Sequence, residues 1–166
     1  MTKAVWSAAA AAATVLFVAS PVFAAATDTK TLNVSATVSA RAKLTLSSAS
    51  VSFADADPDV TPSIAATPLT VDVKTRTAAA SNVTLTVLAD GDLVSGSDAI
   101  AINNLTWTAG AGLSAGTMSK TAAVSLGSWT GSGNHTGMSQ TYALANSWTY
   151  ATGSYAAVVT YTLTAP

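Results

Sequence analysis

Residue types that carry out most enzyme chemistry are scarce in this sequence. Its 166 residues include a single histidine, His135, no cysteine and no glutamate, so all eight acidic residues are aspartates. The absence of cysteine excludes disulfides, thiolate metal sites and thiol catalysis. His135 lies in the polar stretch Gly131–Gly137, which predicts a solvated loop without the strained turn that frames a serine nucleophile. We therefore predict that the protein is not an enzyme, with a hydrolase based on His135 as the last alternative.

The aspartates between residues 55 and 59 alternate with other residues, as the ligands of a calcium loop do. Such a loop needs glycine at its sixth position and a bidentate glutamate at its twelfth. This chain has Val60 and Ala66 there. Pro58 within the stretch favours a turn with aspartate side chains bonded to the backbone. The sequence therefore predicts a turn, with no metal and no cofactor.

Charge and hydropathy bear on the partners and the cellular location of the protein. Charged residues make up 9% of the chain and the formal net charge is −1, which gives no electrostatic footprint for nucleic acid. Residues 1–24 have the form of a signal peptide, with Lys3, an apolar stretch over 4–20 and the small-residue cleavage site Val22–Ala24. Cleavage as late as residue 26 is also compatible. We predict an exported protein with no membrane span once the signal is removed.

The rest of the chain follows a period of two. In Thr31–Ser39 every even position is apolar and every odd position is polar, as in a strand with one buried face. The same alternation predicts strands at 42–46, 51–53, 69–73, 83–87, 100–107, 118–126, 142–144 and 155–163. Turn-forming clusters separate them, which is typical of an antiparallel sandwich. We predict an all-β sandwich over residues 40–166, preceded by an N-terminal extension over 25–39.

Large aromatic side chains offer a second functional hypothesis. Trp107 follows the alternation of its strand and is predicted to lie in the core. Trp129, Trp148 and Tyr150 lie beside predicted loops, where exposed rings could stack on sugars. The alternative function is thus a monomeric secreted module that binds carbohydrate or forms a coat.

The two most regular strands lie at the two ends of the chain that remains after cleavage. They are Lys30–Val38, which follows the signal peptide closely, and Gly153–Leu163, which ends near the C-terminus. In these segments the sequence resembles subunits of chaperone–usher pili, especially the cysteine-free, CFA/I-like major subunits of fimbriae. Spore-coat-U-like secreted domains share the Gly-x-Tyr ending and are a near neighbour. Between the two segments the resemblance is limited to the general rhythm of strands.

The resemblance implies an immunoglobulin-like sandwich that lacks its last strand and receives one from the next subunit. The donor residues would be Leu32, Val34, Ala36 and Val38, and the acceptor groove would be lined by Tyr155, Val159, Tyr161 and Leu163. The partners implied are copies of the chain itself, a periplasmic pilus chaperone and an outer-membrane usher. The subunit would pass through the periplasm to a filament on the cell surface. The remaining alternative is that 31–39 forms the first strand of a self-sufficient sandwich.

Overall fold

The alternating segments of the sequence form β-strands in the computed structural model, which describes residues 25–166. The predicted signal peptide, residues 1–24, lies outside the described residues. An N-terminal segment ends at Ala36, and a domain extends from Thr37 to Pro166. Its strands are β1 (Arg41–Leu46), β2 (Ser63–Ala65), β3 (Leu69–Arg76), β4 (Asn82–Ala89), β5 (Leu93–Ser95), β6 (Asp98–Ile100), β7 (Leu105–Ala109), β8 (Gly116–Thr117), β9 (Val124–Thr130), β10 (Gly133–Ala145) and β11 (Val159–Thr164).

The strands form two main sheets, and every pairing is antiparallel. The first sheet has the order β1-β3-β10-β7-β8, and β2 also pairs with β10. The second sheet has the order β11-β4-β9, and β5 and β6 form a separate hairpin. No helix within residues 25–166 is long and apolar enough to cross a membrane. The predicted all-β sandwich is confirmed.

The core lies between the two sheets because each strand turns its apolar positions inward. Val71 and Val73 on β3 and Leu85 and Val87 on β4 are completely buried, and each such side chain contributes about 1.5–3 kcal/mol through burial. Trp107 is 2% exposed, which confirms its predicted place in the core. Its ring packs edge-on against that of Tyr142 with the centroids 6.1 Å apart.

One end of the sandwich, here called the entry end, is where the chain enters β1. Arg41 lies opposite Arg76, the last residue of β3. β10 begins at this end, since Gly133 lies opposite Thr75. β11 finishes there too, because the Thr77 hydroxyl donates to the carbonyl of Pro166. β1, β3, β10 and β11 therefore all have a terminus at the entry end.

The opposite end, here called the far end, is where β1 and β10 finish. Ala145, the last residue of β10, lies opposite Ser63. β11 begins at this end, and Val159 lies opposite Ala89 at the end of β4. The segments that link β1 to β2 and β10 to β11 therefore both lie at the far end.

Several predicted elements differ from the structure. The segment 31–39 forms no strand, because an extended segment without a partner has no ladder to join. Residues 51–53 form no strand, and 155–163 pairs within a sheet only from Val159 onward. The predicted strand over 100–107 is interrupted by a 3-10 turn at Ile102–Asn104. Of the predicted strand 118–126 only the last three residues are in a strand, since β9 begins at Val124.

The prediction of a loop around His135 is wrong. β10 already begins at Gly133, so His135 lies within a strand, opposite Val73. The polar turn is shorter than expected because Gly131 adopts a φ of 73°, a conformation that glycine accepts readily. Only two residues, Gly131 and Ser132, therefore connect β9 in one sheet to β10 in the other.

Candidate functional site

One side of the sandwich is bordered by two strands that each have a single partner. Within the described residues β1 pairs only with β3, and β11 pairs only with β4. Each strand therefore presents an edge of unpaired backbone N–H and C=O groups. The space between these two edges is here called the β1–β11 groove.

Side chains that point into this groove are apolar but only half-buried. On β11 they are Val159, Tyr161 and Leu163, which alternate with exposed threonines. On β1 they are Leu44 and Leu46. All five pack against the buried core. Inward-facing residues of β3 and β4, by contrast, are fully buried.

The groove is deepest toward the far end, where it encloses a volume of about 300 Å³. Its lining includes Leu46 from β1, Val51 and Phe53 from the following segment, and Val159 and Tyr161 from β11. The surface is mainly apolar, with unpaired strand edges along it. Such a surface suits an extended peptide that brings both apolar side chains and backbone hydrogen bonds.

The four residues predicted to line an acceptor groove lie in or just before β11. Val159, Tyr161 and Leu163 stand along the inward face of β11. Tyr155 lies outside that strand, and its hydroxyl donates to the carbonyl of Ala151 at 2.8 Å. The segment just before β11 is held by an isolated backbone pairing between Ala156 and Val94. The structure thus brings three of the four predicted residues onto one face of β11, and two of them, Val159 and Tyr161, line the cavity.

Sequence reasoning missed the opposite wall and the floor. Leu44 and Leu46 on β1 form the facing wall, and Phe53 and Tyr142 contribute to the lining at the far end. The alternation of residues 42–46 was visible as a strand. That β1 lies beside β11 without pairing with it depends on which strands pair, and period two carries no information about pairing.

A buried polar chain lies beneath the groove. The Tyr161 hydroxyl donates to Oε1 of Gln140 at 2.7 Å, and the Tyr142 hydroxyl is 2.8 Å from that of Tyr161. Because a hydroxyl has a single proton, Tyr142 is the donor in the second bond. Gln140 is completely buried, and its Nε2 has no hydrogen-bond partner within residues 25–166.

Burial governs the ionisation of both phenols. It raises the pKa of Tyr142 and of Tyr161 above the ordinary value, because a phenolate would lose its hydration there. The proximity of Tyr142 raises the pKa of Tyr161 further. Both hydroxyls therefore remain protonated, and the chain from Tyr142 to Gln140 is a fixed structural feature of the groove.

The predicted donor segment is the most exposed apolar part of the described chain. Leu32 is 86% exposed, Val34 85% and Val38 70%, and Ala36 between them is also exposed. Residues 25–40 belong to no strand or helix. Side chains of this kind are normally buried, so the alternation seen in the sequence has no buried face in the single molecule.

The three aromatic residues of the carbohydrate hypothesis do not lie on one surface. Trp129 stacks on His135 near the entry end, with ring centroids 4.9 Å apart. Trp148, which is 69% exposed, follows the end of β10, and its Nε1 donates to Asp59 at 3.1 Å. β10 separates the two by roughly 30 Å at about 3.3 Å per residue. Tyr150 is half-buried against the core.

The residues considered for catalysis and metal binding take part in packing and in turns. His135 is occupied by its stack with Trp129. No group of three potential metal ligands occurs within residues 25–166. Oδ1 of Asp57 accepts the N–H of Asp59 at 2.9 Å, which confirms the predicted turn around Pro58.

Comparison with known proteins finds no match for this chain, whether among family models, curated proteins or solved structures.

Proposed function

We propose that this protein is a structural subunit of an extracellular filament, in which residues 25–39 of one copy, here called the donor segment, complete the sandwich of the next copy. The observation that carries the proposal is a complementarity within one sequence. The chain has an exposed, alternating apolar segment without a partner, and a groove with two unpaired strand edges. Each supplies what the other lacks.

The dimensions of the two surfaces support this pairing. Leu32–Val38 spans seven residues, or about 23 Å as a strand, and β11 spans six residues, or about 20 Å. Inserted between β1 and β11, the segment would bring its four apolar residues to the half-buried side chains of the groove. It would also provide backbone partners to edges that are otherwise open to solvent.

Burial supplies the driving force. A valine or leucine that passes from full exposure to full burial contributes about 1.5–3 kcal/mol, and Leu32, Val34 and Val38 begin at 86%, 85% and 70% exposure. Backbone pairing along the strand adds to this. Dissociation would require the whole segment to leave at once, so the polymer would persist through a high kinetic barrier.

The predicted signal peptide and the open groove together support a route of assembly. An exported subunit with an exposed apolar groove needs protection before it meets its neighbour, which is the role of the periplasmic chaperone and outer-membrane usher implied by the resemblance. In this proposal the final location is a filament on the cell surface that supports adhesion or biofilm formation. The protein has no catalytic function.

The test is electrophoresis in SDS of protein sheared from cells that produce the full chain, unheated and boiled. We expect a ladder of multimers that collapses to a single band only on boiling. A form that retains its signal peptide but lacks residues 25–39 should give only monomer. If the complete protein runs as monomer under both conditions, the filament proposal is wrong.

A further inference from the structure

Four of the basic residues gather on one small area at the entry end, here called the basic patch. It consists of Arg41, Lys43, Lys74 and Arg76 on the outward face of the first sheet. Arg41 lies directly opposite Arg76. Two residues along the strands, Lys43 lies directly opposite Lys74.

This arrangement is unfavourable for the isolated domain. Like charges directly opposite each other on neighbouring strands destabilise a sheet. Within residues 25–166 the salt bridges are Lys30–Asp28 and Lys120–Asp92, so none of the four is neutralised in this way. The nearest acid on β3, Asp72, accepts the N–H of Gly137 at 2.7 Å. Arg76 Nε donates to the carbonyl of Ser39 at 2.9 Å, but no carboxylate forms a salt bridge with any of the four cations.

All acids of the domain except Asp72 lie at the opposite, far end. Asp57 and Asp59 lie in the segment between β1 and β2. That segment is attached to the end of β10, because Asn146 Nδ2 donates to the carbonyl of Ala56 and Trp148 Nε1 donates to Asp59. Asp55 lies in the same segment and is exposed.

Further acids lie at the same end. Asp90 accepts the N–H of Val158 at the start of β11. Asp92 accepts the N–H of Ile102, just before β7 begins. Asp98 opens β6 in the adjoining hairpin. Lys120 is paired with Asp92 and so offsets only one of these charges.

We propose that the acidic far end of one copy docks on the basic patch of the next, and that this contact orients the subunits head to tail while the donor segment enters the groove. The inference rests on the proposed filament function. The donor segment joins the domain at the entry end, beside Arg41. The groove is deepest at the far end, beside the acids. The contact that matches the charges therefore also brings the donor segment of one copy to the deepest part of its neighbour's groove.

Electrostatic attraction of this kind acts mainly on the rate of encounter. Complementary charged surfaces accelerate association by about 10- to 1000-fold at low ionic strength. The effect fades as the Debye length falls from roughly 10 Å at 0.1 M salt to 3 Å at 1 M. Once formed, the polymer would be held by the inserted segment rather than by these charges.

The experiment follows the appearance of SDS-resistant multimers from purified protein, residues 25–166, at low and high salt. A first variant, Arg41→Glu with Lys43→Glu, removes the net charge of the basic patch. We expect its initial rate to fall at least about tenfold at low salt and to approach that of the wild type at about 1 M salt. Its melting temperature should not fall, because each new carboxylate lies opposite a cation.

A second variant alters the other partner of the contact. Asp55→Lys with Asp98→Lys changes the far end without removing a side-chain hydrogen bond, and we expect the same loss of rate at low salt. The control is Ser125→Glu with Ser139→Glu, which adds carboxylates to exposed positions in the middle of the two sheets. Its rate should stay close to that of the wild type.

The possible outcomes separate this inference from the filament proposal. If removal of residues 25–39 abolishes the multimers while both charge variants assemble at the wild-type rate, the docking inference is wrong and the filament stands. If only one of the two charge variants is slow, the basic patch and the acidic far end do not act as partners, and the proposed contact between copies is wrong. If the unaltered protein forms no multimers, both proposals fall.

Discussion

The two sides of the sandwich deal with exposed sheet edges in opposite ways. On the side of β8 and β9, the chain covers its own edge with residues 113–119. Trp107 Nε1 donates to the carbonyl of Ser114 at 2.8 Å, and the N–H of Ser114 donates to the carbonyl of Leu126 at 2.7 Å. As a result, the exposed fraction of Met118 is 1% and that of Leu126 is 0%.

On the side of β1 and β11 no such segment is present in the domain. The inward-facing residues of both strands are half-buried. A cavity of about 300 Å³ lies at their far end, where Leu46, Val159 and Tyr161 contribute to its lining. The sequence nevertheless contains a segment with the required alternation, at residues 31–39. The closed side is thus completed locally by the same chain, and the proposed function assigns completion of the open side to a strand from another molecule.

The largest effect is expected from a charge in the donor segment. Val34→Asp would place a carboxylate against the apolar groove, where an unpaired charge is very costly. We expect multimers to disappear from unheated SDS gels, with no change in the stability of the monomer. Ser35→Asp is the matched control, since its side chain lies on the opposite face of the segment, and it should leave the ladder intact.

The two sides should also respond differently to the loss of the same side chain. Leu126→Ala, on the closed side, should lower the free energy of unfolding by about 2–5 kcal/mol. Leu163→Ala, on the open side, should cost the monomer less than half as much, because that side chain is only half-buried. Urea unfolding of the form without residues 25–39 measures both values. Equal losses would mean that the open side is already closed in the monomer.

The buried hydrogen-bond chain beneath the groove provides a smaller effect. Tyr161→Phe removes the acceptor of Tyr142 and the donor to Gln140, which should cost about 1–3 kcal/mol of unfolding free energy. Tyr155→Phe is the control, because it removes one hydroxyl bond at a half-exposed position. If the two variants lose the same stability in urea, the buried hydrogen-bond chain contributes no more to stability than an ordinary surface hydrogen bond.

The same hydrogen-bond chain should make the stability of the domain decrease at alkaline pH. Burial raises the folded-state pKa of Tyr142 and Tyr161 above the ordinary value of 10.0. Their contribution is thus complete below about pH 10 and is lost as the pH rises, since only the unfolded chain then releases the protons. The urea midpoint measured at about pH 11 should therefore lie below the midpoint measured at about pH 8. It should fall less steeply for Tyr161→Phe, which has one fewer of these groups.

The sequence predicted the fold class and most strands because alternation is a local property. It identified Thr31–Ser39 as apolar on one face, and the structure leaves that face exposed. It misplaced His135, because the short turn at Gly131 depends on a backbone conformation rather than on polarity. It missed Leu44 and Leu46 as a groove wall, because the pairing of edge strands is decided by contacts distant in sequence.

The most direct test of the account is amide hydrogen exchange, measured on the multimers and on the monomer without residues 25–39. The account predicts that the amides of Arg41–Leu46 and Val159–Thr164 that face the open edge are strongly slowed only in the multimer, while the other amides of these strands are already protected by β3 and β4. Amides of the donor segment should also be protected in the multimer. Amides of Val124–Thr130 should exchange alike in both forms. Multimers in which the edge-facing amides of β1 and β11 exchange as fast as in the monomer, and in which residues 31–39 exchange as fast as an unstructured peptide, would contradict it.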